Sequence, residues 1–345
     1  MSSVDSYILN KFLSQGAVIS LNENEILIAW GDPLINASHN QSVPVFYLSE
    51  FFEEKGKWLQ FSEHMVVTKS LFLESLKQVN KRSESIKRIW SEPDKIEFQN
   101  YFDRFQQDCA LEKLKKVVPV VFAKSEGTFS AKEKLKSLTH LLETSNDLWI
   151  YGLWTNQYGF LGATPEILID RIQNSFKTMA LAGTSVKEGP NLLEDQKEKS
   201  EHQFVIDDIN YKLKGCDLHW SRTEEWKVGN LKHLRTWAKG ESEEQLESLI
   251  SKLHPTSALG LTSGELNFSH LKNYCEASTR KFFGSPFGVK YGCRDLILVA
   301  LRNIQWFNES SYIGSGCGLV AESELEKEWN ELKLKREFTK EFLNL

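Results

Sequence analysis

Residues 194–209 read EDQKEKSEHQFVIDDI, a charged run that passes directly into a Phe-Val-Ile helix face. At about 100° per residue, Val205, Ile206, Ile209 and Leu213 share one face, with His202 near its centre, Glu198 inside it and Glu201 at its edge. Residues 324–338, ELEKEWNELKLKREF, repeat the pattern. Leu325, Trp329 and Leu332 form the apolar stripe, and Glu328, Glu331 and Lys335 flank it, with Phe338 and Phe342 beyond. Each helix thus carries a Glu pair at i,i+3 along the border of its buried face. Carboxylates turned inward are costly unless paired or metal-bound, and hard oxygen ligands of this kind suit Mg2+. The bland alternative is glutamates solvated at the rim and tied to Lys197 or Lys335 as surface ion pairs. Periodicity alone leaves both open.

Working outward, AVISLNENEILIAW reads as two alternating strands around a polar Asn-Glu-Asn-Glu turn, and PVFYL continues the β character. Residues 68–90 read as a helix, with Leu71, Leu76 and Ile86 among polar residues. SEPDKIEFQNYFDRF reads as a fresh helix with a Ser cap, an early Pro, and Ile96, Tyr101 and Phe105 on a repeating face. A boundary therefore falls within residues 83–95, dividing the chain into residues 1–92 and 93–345. Beyond it come VVPVVFA, a helix from about Ala131, and the strands DLWIYGLW, FLGATPEILID and SFKTMALAGT. After the helix quoted first, strands are expected around LHWSRTEEWKV and LKHLRTWA, and helical segments near 242–252 and 267–279. The strands LILVALRNIQWF and SSYIGSGCGLV are expected to pair, and a long helix from about Glu322 closes the sequence. Strands in groups, with helices between groups and no βαβ alternation, predict an α+β fold of antiparallel sheets.

The 345 residues suffice for one large domain or two ordinary ones, and 41% hydrophobic with 26% charged residues describes a globular chain. Net charge is −5 with scattered Lys and Arg, so no nucleic-acid stripe is present, and an anionic ligand needs a local cationic device. Neither a secretory leader nor a membrane-length apolar run is visible. The five cysteines lack a CxxC, which argues against a disulfide framework or structural zinc and sets cytoplasm as the expectation.

KEKSEHQFVIDDI, ALAGT, HPTSA, FFGSPFG, ALRN, GSGCGLV and EKEWNELKLK stand in an order that resembles the chorismate-utilising enzymes over roughly residues 95–345. That family includes isochorismate, salicylate, anthranilate and aminodeoxychorismate synthases. The resemblance implies a single large domain built as an α/β/β/α sandwich, residues 1–92 forming its variable N-terminal part and residues 93–345 the catalytic core. It implies that Glu201 and Glu331 ligate Mg2+ directly, and that Glu198 and Glu328 act behind them through water. Arg302, Gly316, Gly318, Lys335 and His254 are implied to bind substrate, with Ala182, Gly183 and Thr184 of AGT and Phe283 completing that set. GSGCG is not GxGxxG, and no Lys-Ser/Thr follows, so it is not read as a nucleotide loop.

Within the family the nucleophile decides the activity. Lys116 of LEKLKKVVPVV matches the lysine that activates water, with Lys115 beside it in the competing register, and Glu166 of GATPEILID matches the acid for the leaving C4 hydroxyl. Read without the resemblance, Lys116 is a strand-edge lysine and Glu166 an exposed strand glutamate. Ala182 stands where aminodeoxychorismate synthases commonly carry a Lys, and ALAGTSVKEG differs from anthranilate synthases. Three departures stand out: HPTSALGLTSG lacks the second Pro and the usual Gly-x-Pro, Phe283 replaces a Tyr, and Asn303 replaces a Ser. The resemblance implies a Mg2+-dependent isochorismate synthase acting on chorismate as a monomer, without a glutamine amidotransferase partner. Salicylate synthase, an ammonia-using relative and a non-catalytic chorismate binder are the alternatives. A product used for menaquinone, a catechol siderophore or salicylate is compatible with it.

Overall fold

The structure, a computed structural model, describes residues 4–36, 42–80, 88–145, 147–229, 231–263 and 266–345. Its helices are α1 (Ser6–Ser14), α2 (Lys69–Asn80), α3 (Lys95–Ala110), α4 (Ala131–Thr144), α5 (Gln196–Lys212), α6 (Leu246–Leu253) and α7 (Leu325–Phe342). Side chains preceding several helices fix where they start. Ser130 and Glu133 close a reciprocal capping box on α4, and Asp195 accepts the Glu198 N–H at the start of α5.

Two large antiparallel sheets carry the fold. Among the described residues the first has eight strands, running from Glu63–Thr68 at one edge through Gly16–Ser20, Trp149–Trp154, Tyr158–Thr164 and Asn303–Phe307 to Ser310–Gly316 and Val120–Glu126. The second has ten, including Leu231–Glu241, Ser175–Val186, Ile167–Ile172, Arg294–Val299, Pro286–Tyr291 and Val45–Leu48. Strand alternation sends successive side chains to opposite faces. Ala17 and Ile19 join Phe46, Phe287, Leu296 and Leu298 between the sheets, while Val18 packs outward with Leu9, Phe72 and Leu138 under α1, α2 and α4. On the far side Ile297 and Val299 pack with Val205, Ile209 and Leu249 of α5 and α6. The layers are therefore helix, sheet, sheet, helix, as the resemblance implied.

The N-terminal strands are continuous with both sheets: Gly16–Ser20 pairs with Trp149–Trp154, and Val45–Leu48 with Pro286–Tyr291. The helix expected over 68–90 is seen as Lys69–Asn80; Ile86 and the first part of the expected boundary, residues 83–87, lie outside the described residues. Asp94, not Ser91, caps α3. Its buried face is Phe98, Phe102 and Phe105, and Ile96 is exposed, because at about 100° per residue Ile96 falls on the side of the helix opposite Phe98 and Phe105. The expected helix near 267–279 is a short 3-10 turn, Phe268–Tyr274.

One difference matters for the site. LILVALRNIQWF is not one strand: Arg294–Val299 ends in the second sheet and Asn303–Phe307 begins in the first. The chain crosses between sheets at residues 300–302, and Arg302 takes a left-handed φ of 53° to make the turn. An apolar run buried throughout gives no periodicity break to mark such a crossover.

The intersheet core centres on Phe287, fully buried against Phe46, Tyr151 and Phe160 at ring distances of 6.2, 5.9 and 5.1 Å. Phe287→Ala is expected to cost about 3–5 kcal/mol in urea denaturation; a loss below about 1 kcal/mol would show that this contact region is not the core described.

Candidate active site

A cavity of about 100 Å3 opens where α5 and α7 meet the ends of both sheets. Glu166, just before Ile167–Ile172, enters from the second sheet, as do Ala182, Gly183 and Thr184 of Ser175–Val186. Ser310–Gly316 of the first sheet supplies Gly314, Ser315 and Gly316, with Gly318 following. Glu201 reaches in from α5, and Lys335, Phe338 and Thr339 from α7. Two glycines permit this closeness. A Cβ on Gly318 would stand 2.0 Å from Glu201 Oε1 and 3.0 Å from Lys116 Cε, and Gly183 holds φ +76° against Glu198.

Glutamates and lysines alternate through the site. Lys116 Nζ lies 3.1 Å from Glu201 Oε1, close enough for an ion pair but without an aligned hydrogen bond among the described residues. Lys197 bridges Glu198 at 3.3 Å and Glu328 at 2.8 Å. Lys335 pairs with Glu331 at 2.7 Å and donates to the Gly316 carbonyl at 2.9 Å. Glu198 also accepts the Thr184 N–H at 2.8 Å. These contacts decide the charge states. Burial pushes the Glu198 carboxyl up to about 7, helped by Glu201 and opposed by Lys197. Burial likewise raises Glu328, with Glu331 adding to it. Burial acts to raise Glu201 too, but Lys116, Lys197 and Lys335 outweigh it and hold that carboxyl below its ordinary value. Glu166, 3% exposed, is pushed up to about 8 by burial against the opposing pull of Lys116.

The opposite wall is cationic. Arg302 is enclosed, with its guanidinium 5.1 Å from the Phe338 ring centre and Nη2 2.7 Å from His233 Nε2. Its Nη1 has no hydrogen-bond partner among the described residues. His233 Nδ1 lies 3.2 Å from both Thr184 Oγ1 and the Gly183 carbonyl. Burial, then Arg302 and Lys335, hold the imidazole well below its ordinary value, so it is neutral and able to accept from Arg302.

Of the residues singled out in the sequence, Glu166, Ala182, Gly183, Thr184, Glu201, Phe283, Arg302, Gly316, Gly318 and Lys335 line this one cavity. Lys116 sits behind Gly318 and is fully buried, whereas Lys115 is exposed, so Lys116 rather than its neighbour faces inward. Glu198, Glu328 and Glu331 form the ion-paired layer at the rim of α5 and α7. His254 does not join them. It follows α6, its Nε2 lies 2.9 Å from the Phe51 carbonyl, and its ring packs 4.9 Å from that of Phe51, which makes it a structural residue. His233 was not singled out. It shares strand phase with Leu231, which also lines the cavity, but its pairing opposite Thr184 is a tertiary fact that no local pattern announces.

The fit of Mg2+ rests on donor chemistry and on the space that Gly318 leaves beside Glu201. Among the described residues no three acidic, His or Cys side chains already surround one point. Each of the four glutamates leans on a lysine instead, so ligation requires exchanging lysine contacts for the ion.

Residues 33–343 match the model of a family described as chorismate binding enzyme. Curated relatives include the isochorismate synthase MenF of Bacillus subtilis, 29% identical over 57% of this chain and 45% of its own length. The salicylate biosynthesis isochorismate synthase of Pseudomonas aeruginosa is 27% identical over 61% of this chain and 48% of its own. Anthranilate synthase component 1 of Neisseria meningitidis is 27% identical over 74% and 54%. The chain thus spans about half the length of the curated relatives it matches. The same fold is seen in the solved structure of MenF from Escherichia coli, at a TM-score of 0.77 and 17% identity, covering 99% of this chain and 92% of that one. It is also seen in a putative 2,3-dihydroxybenzoate-specific isochorismate synthase, DhbC from Bacillus anthracis, at 0.79 and 17%, covering 99% and 100%.

Glu166 binds its proton more tightly folded than unfolded, so its contribution to stability is complete below about pH 4.5 and is lost as pH rises through about 8. Glu166→Gln is therefore expected to flatten the decline in urea stability between pH 5 and 8.5, and an unchanged slope would contradict the buried carboxyl. Gly318→Ala is expected to abolish ligand binding at the cavity while the fold persists by circular dichroism; retained binding would mean that the space beside Glu201 is not required.

Proposed function

The chain belongs to the chorismate-binding enzyme family, and from that premise we propose that it is an isochorismate synthase, adding water at C2 of chorismate with loss of the C4 hydroxyl. The observation that carries the reading is the fully buried Lys116 held at Glu201 on one side of the cavity, with the buried Glu166 kept protonated up to about pH 8. One group is a base for water and the other an acid for the departing hydroxyl.

Chorismate is a dianion, and the cavity offers one cationic end and one acidic end that would take a cation. Arg302, held by His233, presents Nη1 without a partner among the described residues, which suits the pyruvyl carboxylate. Glu201 and Glu331, backed by Glu198 and Glu328, are the groups that would hold Mg2+. Bound Mg2+ supplies charge neutralisation and orientation for the ring carboxylate. Lys116 has no aligned hydrogen bond among the described residues. In this reading its amine takes the proton from the attacking water. Glu166 then gives its proton to the C4 hydroxyl, which leaves as water. Ala182 in place of a lysine removes the amine nucleophile and leaves water in that role. Salicylate synthase chemistry, which adds pyruvate elimination to the same steps, is the second reading, favoured by the same residue set.

Incubation with chorismate, Mg2+ and ammonium is expected to give isochorismate and no aminated product by chromatography and NMR. Lys116→Ala is expected to lower turnover by at least about 100-fold while chorismate still binds, and Glu331→Ala to remove Mg2+-dependent turnover. Wild-type rates in either variant would overturn that residue's role, and an aminated product would overturn the reaction.

A further inference from the structure

Behind the cavity lies a buried charge that the chemistry above does not use. Arg336 of α7 is 1% exposed. Its Nη1 donates to Ser315 Oγ at 2.7 Å and its Nε to Glu92 Oε2 at 3.0 Å, with the guanidinium 5.5 Å from the Trp329 ring centre. Lys340, one turn on, also contacts Glu92. The neighbouring Lys335 grips Gly316. Consecutive side chains of α7 therefore hold consecutive residues of Ser310–Gly316, one from inside the cavity and one from behind it.

Glu92 belongs to a strap, residues 88–92, pinned along the Val120–Glu126 edge of the first sheet. Ser91 and Lys124 exchange backbone hydrogen bonds at 2.8 and 2.9 Å. Arg88 donates to Ser311 Oγ at 3.1 Å and pairs with Glu133 at 2.6 Å. The strap thus touches the cavity strand near both of its ends, at Ser311 directly and at Ser315 through Arg336.

The pair is open on one side, Glu92 being 42% exposed against 1% for Arg336, and such a pair adds little stability. It does fix geometry, since the guanidinium fork donates in fixed, planar directions. We propose that Arg336, braced by Glu92, is a positioning residue that sets the register of α7 against Ser310–Gly316, and so fixes where Lys335 and Gly316 meet the substrate. This rests on the chorismate reading, in which both residues face the ligand. A displacement of about 1 Å in such groups can cost up to about 100-fold in rate.

The test compares Arg336→Met, Arg336→Lys, Ser315→Ala and Glu92→Gln with wild type. It reads kcat and KM for chorismate at saturating Mg2+, and amide hydrogen exchange across residues 310–318. Arg336→Met is expected to lower kcat/KM by at least about 10-fold, mainly through KM, with faster exchange at residues 314–317. Arg336→Lys, which keeps the charge and one donor, is expected to recover part of the loss. Ser315→Ala deletes a single hydroxyl, folds irrespective of the fate of Arg336→Met, and is expected to move KM and exchange in the same direction. Unchanged KM and kcat in Ser315→Ala and Glu92→Gln, or unchanged exchange in every variant, would overturn the brace. If the wild-type protein does not act on chorismate, the functional reading fails, and the exchange data still decide whether the brace exists.

Discussion

Neutralising four inward glutamates with three lysines is the constraint around which this molecule is built. Glu198, Glu201, Glu328 and Glu331 lie on or beside the buried faces of α5 and α7, where unpaired carboxylates would be several kcal/mol too costly. Lys116, Lys197 and Lys335 answer them, each from a different position. Lys197 joins the two helices through Glu198 and Glu328. Lys335 ties α7 to the first sheet through Gly316. Lys116 comes from a two-residue strand, Lys116–Val117, paired with Leu261–Thr262 and bridged at Val117 to Leu319. Breaking one pair leaves a charge buried without its counter-ion, so the cluster holds its own architecture in place.

The sandwich matters to function through its crossovers, where the chain passes from one sheet to the other: residues 165–166 carry Glu166 and residues 300–302 carry Arg302. At the latter Arg302 adopts its left-handed backbone conformation and turns a buried guanidinium toward His233 and the cavity. Non-glycine residues in that region store strain that a surrounding structure must over-determine, and here His233, Phe338 and both sheet ends do so. The acidic helices face this cation across the cavity. A small dianion is thereby offered an arginine at one end and an acidic, cation-seeking cluster at the other, while the chain as a whole stays at −5.

The parts legible in the sequence were those with a local period. The face of α5 was readable because Val205, Ile209 and Leu213 recur at helical spacing, and the inward glutamates followed from their phase. The opening hairpin was readable from its polar turn. Pairing order, the crossover inside LILVALRNIQWF and the cap of α3 were not, because each depends on what the segment meets in space. Lys116 was chosen over Lys115 by its match to the family motif, because a two-residue strand displays no phase; burial in the structure separates the two. His254 and His233 show the limit most plainly: the motif drew attention to the histidine that packs on Phe51, while the one at Arg302 lies in an ordinary strand.

The most direct measurement is the fate of the new hydroxyl when the protein acts on chorismate and Mg2+ in 18O-labelled water. A buried lysine activating water opposite a protonated Glu166 predicts isochorismate carrying one 18O at C2, with no label entering the pyruvyl group or the ring carboxylate. Product with unlabelled oxygen at C2, or no conversion by a folded protein that binds both chorismate and Mg2+, would contradict it.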